Sequence, residues 1–325
     1  MTLGVAIVGA GLIGGKRAAS LPSGVALRAV FDEDHDRARK LAALYPGTEA
    51  AESLEHALDD PQVGLVIVAT PHNQLPLVGI EALHRGRHLL LEKPGAHCLD
   101  ALLEIQQAAV DTEQRVRVGF NHRFHPSFLR AREIVGSGAH GNVFSIRARY
   151  GHGGRPGYEK EWRAQRDISG GGELIDQGLH LIDLVRYLVG DVDLAFAELR
   201  TDFWPMDVED NAYLALRSRT GAFAWLHASW TEWKNLFSFE VSMRDAKLEV
   251  QGLGGSYGTE RLTSYEMTPE MGPPPATSWE WPQADASWAR ELADVVRDIE
   301  GGPSVGADLG DCIAAFRIVE EAYRR

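Results

Sequence analysis

The sequence predicts an α/β protein in two parts: a doubly wound parallel sheet, then an α+β domain built on a mainly antiparallel sheet. Three observations predict it. Short apolar runs alternate with helical periodicity over roughly the first 120 residues, a glycine-rich turn directly follows the first of these runs, and beyond that point strand-like runs succeed one another at hairpin distance. A chain of 325 residues is long for one core and short for three, and with 44% apolar and 24% charged residues it is expected to fold throughout.

In order along the chain, Leu3 to Val8, Ala26 to Phe31, Leu65 to Ala69, His88 to Leu91 and Val116 to Gly119 read as strands. They are continuously apolar, as strands covered on both faces must be. Between them, Ile13 to Leu21, Asp34 to Leu44, Leu75 to Arg85 and Leu99 to Thr112 carry apolar residues at helical spacing. The apolar opening resembles the core of a secretion signal, but no basic residues precede it and glycines interrupt it, so it reads as a buried strand and turn. No apolar run approaches the roughly 20 residues that span a bilayer, so no membrane span is expected.

A helix near Ser127 to Val135 and a strand Val143 to Tyr150 open the second part, and a long helix is expected from about Gly172 to Leu188. Strand alternation follows in Ala212 to Leu216, Ala222 to Trp230, Leu236 to Met243 and Lys247 to Gln251. The proline-rich stretch Thr268 to Asp285 reads as a surface loop, and helices near Ser287 to Glu300 and Leu309 to Tyr323 close the chain. The domains are therefore drawn as residues 1–122 and 123–325.

Charge and cysteine content exclude several classes. With 46 acidic and 33 basic residues the net charge is -13, and no basic block offsets it, which argues against nucleic acid as a partner. Cys98 and Cys312 have neither paired nor C-x-x-C spacing, so no disulfide framework or zinc cluster is expected, and a reducing cytoplasm is the simplest compartment.

Three motifs carry chemistry. Gly9-Ala10-Gly11-Leu12-Ile13-Gly14 follows a strand and opens a helix, where glycines let backbone N–H groups approach a pyrophosphate. Asp32 ends the second strand, placed to accept from both ribose hydroxyls and to repel a 2′-phosphate. That combination reads as a Rossmann dinucleotide site, with NAD expected over NADP. The plainer reading is that the glycines serve close packing. Arg37 and Arg39 are assigned to the exposed face of the next helix. Glu92-Lys93-Pro94 ends another strand on the ligand side of the sheet, where Lys93 can stabilise a reacting oxygen; elsewhere such a triplet is an ordinary turn with an ion pair. In Gly170-Gly171-Gly172-Glu173-Leu174-Ile175-Asp176-Gln177-Gly178-Leu179-His180, Asp176 and His180 share a helical face, so the carboxylate can orient the imidazole for proton transfer. A structural pair is the alternative. Asp183 is assigned a structural role, pairing with an arginine, and no metal site is expected.

The segment Tyr150 to Arg166 places Arg155, Tyr158, Lys160, Trp162, Arg163 and Arg166 among glycines just before that helix. This composition suits an anionic or sugar-bearing ligand, unless Glu159 and Glu161 neutralise it. Phe223, Trp225, Leu226 and Trp230 put large apolar groups on both faces of a strand, so a homodimer or homotetramer through this sheet is expected.

Taken together, the G-x-G-x-x-G, Ala69-Thr70-Pro71, Glu92-Lys93-Pro94, Asn121-His122-Arg123-Phe124 and the triple glycine with Asp176 and His180 resemble the glucose-fructose oxidoreductase / inositol dehydrogenase / rhizopine catabolism (Gfo/Idh/MocA) family. Two departures stand out: Leu75 occupies a place where the family often has histidine, and Cys98 is a weaker helix cap than the usual Ser or Thr. The resemblance implies an NAD(P)-dependent oxidoreductase acting on a sugar, a polyol or a nucleotide-sugar derivative. It further implies Lys93, Asp176 and His180 as the catalytic set, and Gly9, Gly11, Leu12, Ile13, Gly14, Asp32, Thr70, Pro71, Glu92 and Lys93 at the cofactor. Asn121, Arg155, Tyr158, Trp162 and Arg163 join the catalytic set at the substrate. The alternatives are an NAD-dependent glycosidase using transient oxidation and a non-catalytic dinucleotide sensor.

Overall fold

The computed structural model describes residues 3–325; Met1 and Thr2, which open the expected first domain, lie outside the described residues. The described chain through Asn121 forms one unit with Trp288–Ile313, and His122–Ser287 forms a second with Ala314–Arg325.

The first unit runs β1 (Leu3–Val8), α1 (Leu12–Ala19), β2 (Val25–Phe31), α2 (His35–Ala42), β3 (Glu49–Ala50), α3 (Leu54–Asp59), β4 (Val63–Val68), α4 (Leu75–His84), β5 (His88–Glu92), α5 (Leu99–Thr112) and β6 (Val116–Gly119). Its strands are all parallel, in the order β3-β2-β1-β4-β5-β6. The order reverses between β1 and β4, the point at which such sheets bind ligands. Asp34 caps α2 by accepting from the Asp36 and Arg37 N–H groups, whereas Cys98 starts α5 without a side-chain cap, as its chemistry predicts. Arg37 and Arg39 lie exposed and pair with Asp34 and Asp36.

The second unit holds α6 (Pro126–Gly136), β7 (Val143–Gly151), α7 (Arg166–Ser169), α8 (Leu179–Val189), β8 (Val192–Arg200), β9 (Asn211–Ser218), β10 (Phe223–Ser229), β11 (Leu236–Met243), β12 (Ala246–Gln251), β13 (Glu260–Glu266) and β14 (Ala276–Trp281). Helices α9 (Ser287–Ile299) and α10 (Leu309–Tyr323) close the chain. The sheet order is β14-β13-β12-β11-β7-β10-β9-β8, antiparallel except for the β7–β10 pair. Along β10 the pleat buries Ala224, Leu226 and Ala228 and leaves Phe223 and Trp225 part-exposed on the opposite face.

Three expectations are corrected. The helix expected from Gly172 starts as a π turn, Leu174–Gly178, and becomes α-helical only at Leu179, so Asp176 and His180 straddle a change of helical register. The stretch read as a surface loop contains β14, an edge strand that directly follows Pro273, Pro274 and Pro275, residues that mark a loop. Residues 288–313, drawn as part of the second domain, pack with the first: Leu292 and Val295 of α9 join Val5, Ile7 and Leu65 in one core. Each such buried aliphatic side chain contributes about 1.5–3 kcal/mol.

Candidate active site

In the first unit the glycine turn leaves open space at one of its three motif glycines. Gly9 has φ +98°, and a Cβ there would lie 2.4 Å from the Ala69 carbonyl oxygen. At Gly14 a Cβ would lie 1.9 Å from the Gly9 carbonyl oxygen. Gly11, the N-cap of α1, has nothing within 4 Å of its Cβ position. The turn is therefore packed against its own sheet at both ends and open in the middle, at the N–H end of a helix with no side-chain cap. Asp32 is fixed beside it: one carboxylate oxygen accepts from the Ala10 N–H at 2.7 Å and the other from the Asp34 N–H at 2.8 Å. Each oxygen keeps a lone pair for a further donor. At the end of β4 the Thr70 hydroxyl is shielded and has no hydrogen-bond partner. An open cradle, an anchored acceptor and an orphaned hydroxyl at the switch point fit a dinucleotide. Leu12 is 78% exposed, leaving the mouth of the turn accessible, while Ile13 and Pro71 are part-buried.

Glu92, expected at the cofactor, is tied to Arg17. It is buried and accepts from the Arg17 Nε at 2.5 Å, while Arg17 Nη1 donates to Glu291 at 2.6 Å and the guanidinium lies 4.5 Å over the Trp288 ring. Burial alone would lower the Arg17 pKa, yet the charges of Glu92 and Glu291 hold it above its ordinary value. The pair in this triplet is thus an internal tie rather than a solvated one. Lys93 follows it, part-exposed at the carboxyl end of β5, and Asn121 is buried.

In the second unit Asp176 lies in the π turn with the Arg163 Nε 3.7 Å away, and the Arg163 guanidinium lies 4.4 Å over the Trp162 ring. His180, buried, stacks on His122 with ring centroids 3.8 Å apart and planes 20° from parallel. His122 Nε2 meets the Tyr150 hydroxyl at 3.1 Å, and the Tyr257 hydroxyl accepts from Gln177 Nε2 at 3.1 Å. Burial, reinforced by the Asp176 and Glu173 charges, lifts both phenols, Tyr257 to about 12. Both phenols therefore stay protonated at neutral pH. His152 is pushed below the ordinary imidazole value, first by burial, then by Arg155 and Arg163 against the opposing pull of Asp176.

The structural role assigned to Asp183 is found: Arg123 donates to it through Nε at 2.9 Å and Nη2 at 2.5 Å. Tyr158 is corrected. Its ring is buried with Ala164 and Val208 and meets Trp230 edge-on at 4.8 Å, so it supports the segment instead of offering a face to a ligand. Arg155 pairs with Glu161. The His122–His180 stack was not legible in the sequence, because nothing in Asn121-His122-Arg123-Phe124 announces a ring partner 58 residues on. Among the described residues no group of three His, Cys, Asp or Glu side chains gathers to hold a metal, and no helix is long and apolar enough to cross a membrane.

Comparison with known proteins adds the family. Residues 3–120 match the oxidoreductase family described by its NAD-binding Rossmann fold, and residues 128–257 match the GFO/IDH/MocA C-terminal domain. A levoglucosan dehydrogenase of Pseudarthrobacter phenanthrenivorans is 29% identical over 54% of this chain and 45% of its own. Inositol 2-dehydrogenase 2 of Saccharopolyspora erythraea is 27% identical over 68% of this chain and 65% of its own. The matched stretch thus spans less than two thirds of either relative. The crystal structure of GenD2 from gentamicin A biosynthesis, in complex with NAD, superposes with a TM-score of 0.84 at 27% identity, covering 99% of this chain and 93% of that one.

Proposed function

The chain belongs to the GFO/IDH/MocA oxidoreductase family, and from that premise we propose that it transfers a hydride between NAD and a hydroxyl or keto carbon of a neutral sugar or polyol. The observation that carries the reading is the cradle at Gly11, open between two glycines packed shut and flanked by the anchored Asp32. The nicotinamide bound there supplies the hydride acceptor. Lys93 donates a hydrogen bond to the reacting oxygen and stabilises its charge, and His180 takes the hydroxyl proton. Asp176, four residues before His180, orients the imidazole. What supports a neutral substrate is that two of the arginines of the 150–166 segment already have carboxylate partners, Arg155 in Glu161 and Arg163 in Asp176. No observation favours the glycosidase or the sensor alternative.

The proposal extends to assembly and compartment. Phe196 and Trp225 stack at 5.9 Å on a sheet face where they and Phe223 stay part-exposed, and a second copy is the occupant assigned to it, as a homodimer or homotetramer. Cys98 and Cys312 as thiols suit the cytoplasm. The deciding experiment follows the absorbance of reduced nicotinamide over a panel of polyols, free sugars and nucleotide sugars, with NAD and NADP in parallel. Oxidation of neutral members with NAD is expected, and a protein that binds NAD yet oxidises nothing in the panel overturns the reading. Light scattering should give a multiple of the 35.7 kDa chain mass, and a monomer at micromolar concentration contradicts the assembly.

A further inference from the structure

The triple glycine before Asp176 is filled by the protein itself. A Cβ at Gly171 would lie 1.8 Å from the Tyr323 hydroxyl, and one at Gly172 would lie 2.1 Å from the Glu209 carbonyl oxygen. Glu209 Oε1 accepts three hydrogen bonds there, from the Gly172 N–H at 3.0 Å, the Leu174 N–H at 3.0 Å and the Tyr323 hydroxyl at 2.7 Å. Its carbonyl oxygen accepts a fourth, from the Glu173 N–H at 2.9 Å. Gly172 passes the constraint on, since its carbonyl accepts from the Asp176 N–H at 3.0 Å. The first N–H groups of a helix have no partners within it and are usually capped by a neighbouring side chain. Here the acceptor comes from the loop before β9, 37 residues away in sequence from Gly172. Glu209 is 4% exposed, and burial raises its carboxyl pKa.

We propose that Glu209, backed by Tyr323, is a positioning residue for Asp176 and His180. By holding the N–H groups of Gly172 and Leu174, it fixes where the π turn begins. A π turn is a poorly populated geometry that persists only when its surroundings impose it. Without the Oε1 acceptor the segment relaxes toward α-helical register, and a one-residue change of register turns Asp176 about 100° around the axis relative to α8. The proposal rests on the reading of Asp176 and His180 as the proton-transfer pair.

The test uses the full-length protein with NAD, levoglucosan and myo-inositol as probe substrates, and the His180 ring resonance in a ¹H–¹³C spectrum, assigned with His180→Ala. Glu209→Ala should lower kcat about 10- to 100-fold, the scale of an ångström-sized misplacement, with KM for NAD nearly unchanged, and should shift the His180 resonance. Glu209→Gln keeps an acceptor oxygen at the same place, so kcat should stay within about threefold and the resonance should not move. Tyr323→Phe removes one of the three donors and should move both readouts in the direction of Glu209→Ala by a smaller amount; it also serves if Glu209→Ala does not fold. An unmoved resonance in both Glu209→Ala and Tyr323→Phe overturns the proposal, as does a Glu209→Gln enzyme as damaged as Glu209→Ala. If His180→Ala is fully active, the proton-transfer reading fails, while the resonance still decides whether Glu209 positions the turn.

Discussion

Two glycine-rich turns lead into helices in this protein, and they use glycine in opposite ways. At Gly9 to Gly14 the outer glycines are packed shut and Gly11 faces open space. At Gly170 to Gly172 the space a side chain would need at positions 171 and 172 is taken by Tyr323 and Glu209. The first turn is shaped for a guest, and the second is shaped by its own chain. The difference separates two kinds of precision: one turn presents backbone N–H groups to a ligand, while the other spends its N–H groups inside the fold to aim the side chains that follow. Substitutions in the two turns should therefore fail in different ways.

The largest effect is expected at the two residues proposed to act on the reacting oxygen and its proton. Lys93→Ala and His180→Ala should each lower turnover by about 10² to 10⁴, because a general acid-base or charge-stabilising group acts in the transition state. The dissociation constant for NAD, measured by fluorescence titration, should barely move. Equal losses in turnover and NAD affinity would mean that the two turns are not functionally separate.

A crossed pair of substitutions comes next. Gly11 has φ −75°, a conformation any residue adopts, so Gly11→Val should leave the melting temperature close to wild type while weakening NAD by at least about tenfold, since the side chain fills the cradle. Gly172→Ala should do the reverse. Its Cβ would run into the Glu209 backbone and cost about 1–3 kcal/mol of stability, with NAD affinity kept. A Gly11→Val protein that unfolds early, or a Gly172→Ala protein as stable as wild type, erases the distinction.

The contrast also marks what was legible in the sequence. The parallel sheet could be read, because β1, β4 and β5 are buried on both faces and so are continuously apolar. The dinucleotide turn could be read for a related reason: its glycines answer to local backbone geometry. The π turn could not, because its cause is Glu209 and Tyr323, far along the chain, and nothing near Leu174 records them. The place of α9 was hidden in the same way. Its helical periodicity predicts a buried face but not that Leu292 would join the core around Ile7. β14 is masked by the three prolines before it, whose loop signal outweighs the alternation of Trp279 and Trp281.

Cofactor choice gives a smaller effect that sharpens the account of the first turn. Asp32 is held by the Ala10 and Asp34 N–H groups, and the proposed reading assigns this fixed carboxylate to the ribose, where it would repel a 2′-phosphate. Asp32→Ser should shift the ratio of kcat/KM for NAD over NADP toward NADP by about tenfold or more, close to 1.4 kcal/mol. A wild-type enzyme that already prefers NADP removes the role given to this carboxylate.

The smallest effect is expected at Arg155, in the segment that precedes the second turn. Its guanidinium is 66% exposed and pairs with Glu161, and pairs of this kind are worth about 0–1 kcal/mol because water screens them and long side chains lose entropy on pairing. Arg155→Ala should therefore change stability by less than about 1 kcal/mol and the KM for a neutral sugar by less than about threefold. Arg163 differs, since it lies against both Asp176 and the Trp162 ring, and its removal should raise KM for the same sugar more than Arg155→Ala does. A carboxylated or phosphorylated sugar discriminates the two views of this segment. If the arginines are balanced by Glu161 and Asp176, the anionic analogue should be the poorer substrate and should respond to Arg155→Ala as weakly as the neutral one. If instead it is the better substrate and its KM rises tenfold or more on Arg155→Ala, the segment carries a charge its ion pairs do not cancel. The neutral-substrate reading then falls while the dehydrogenase reading stands.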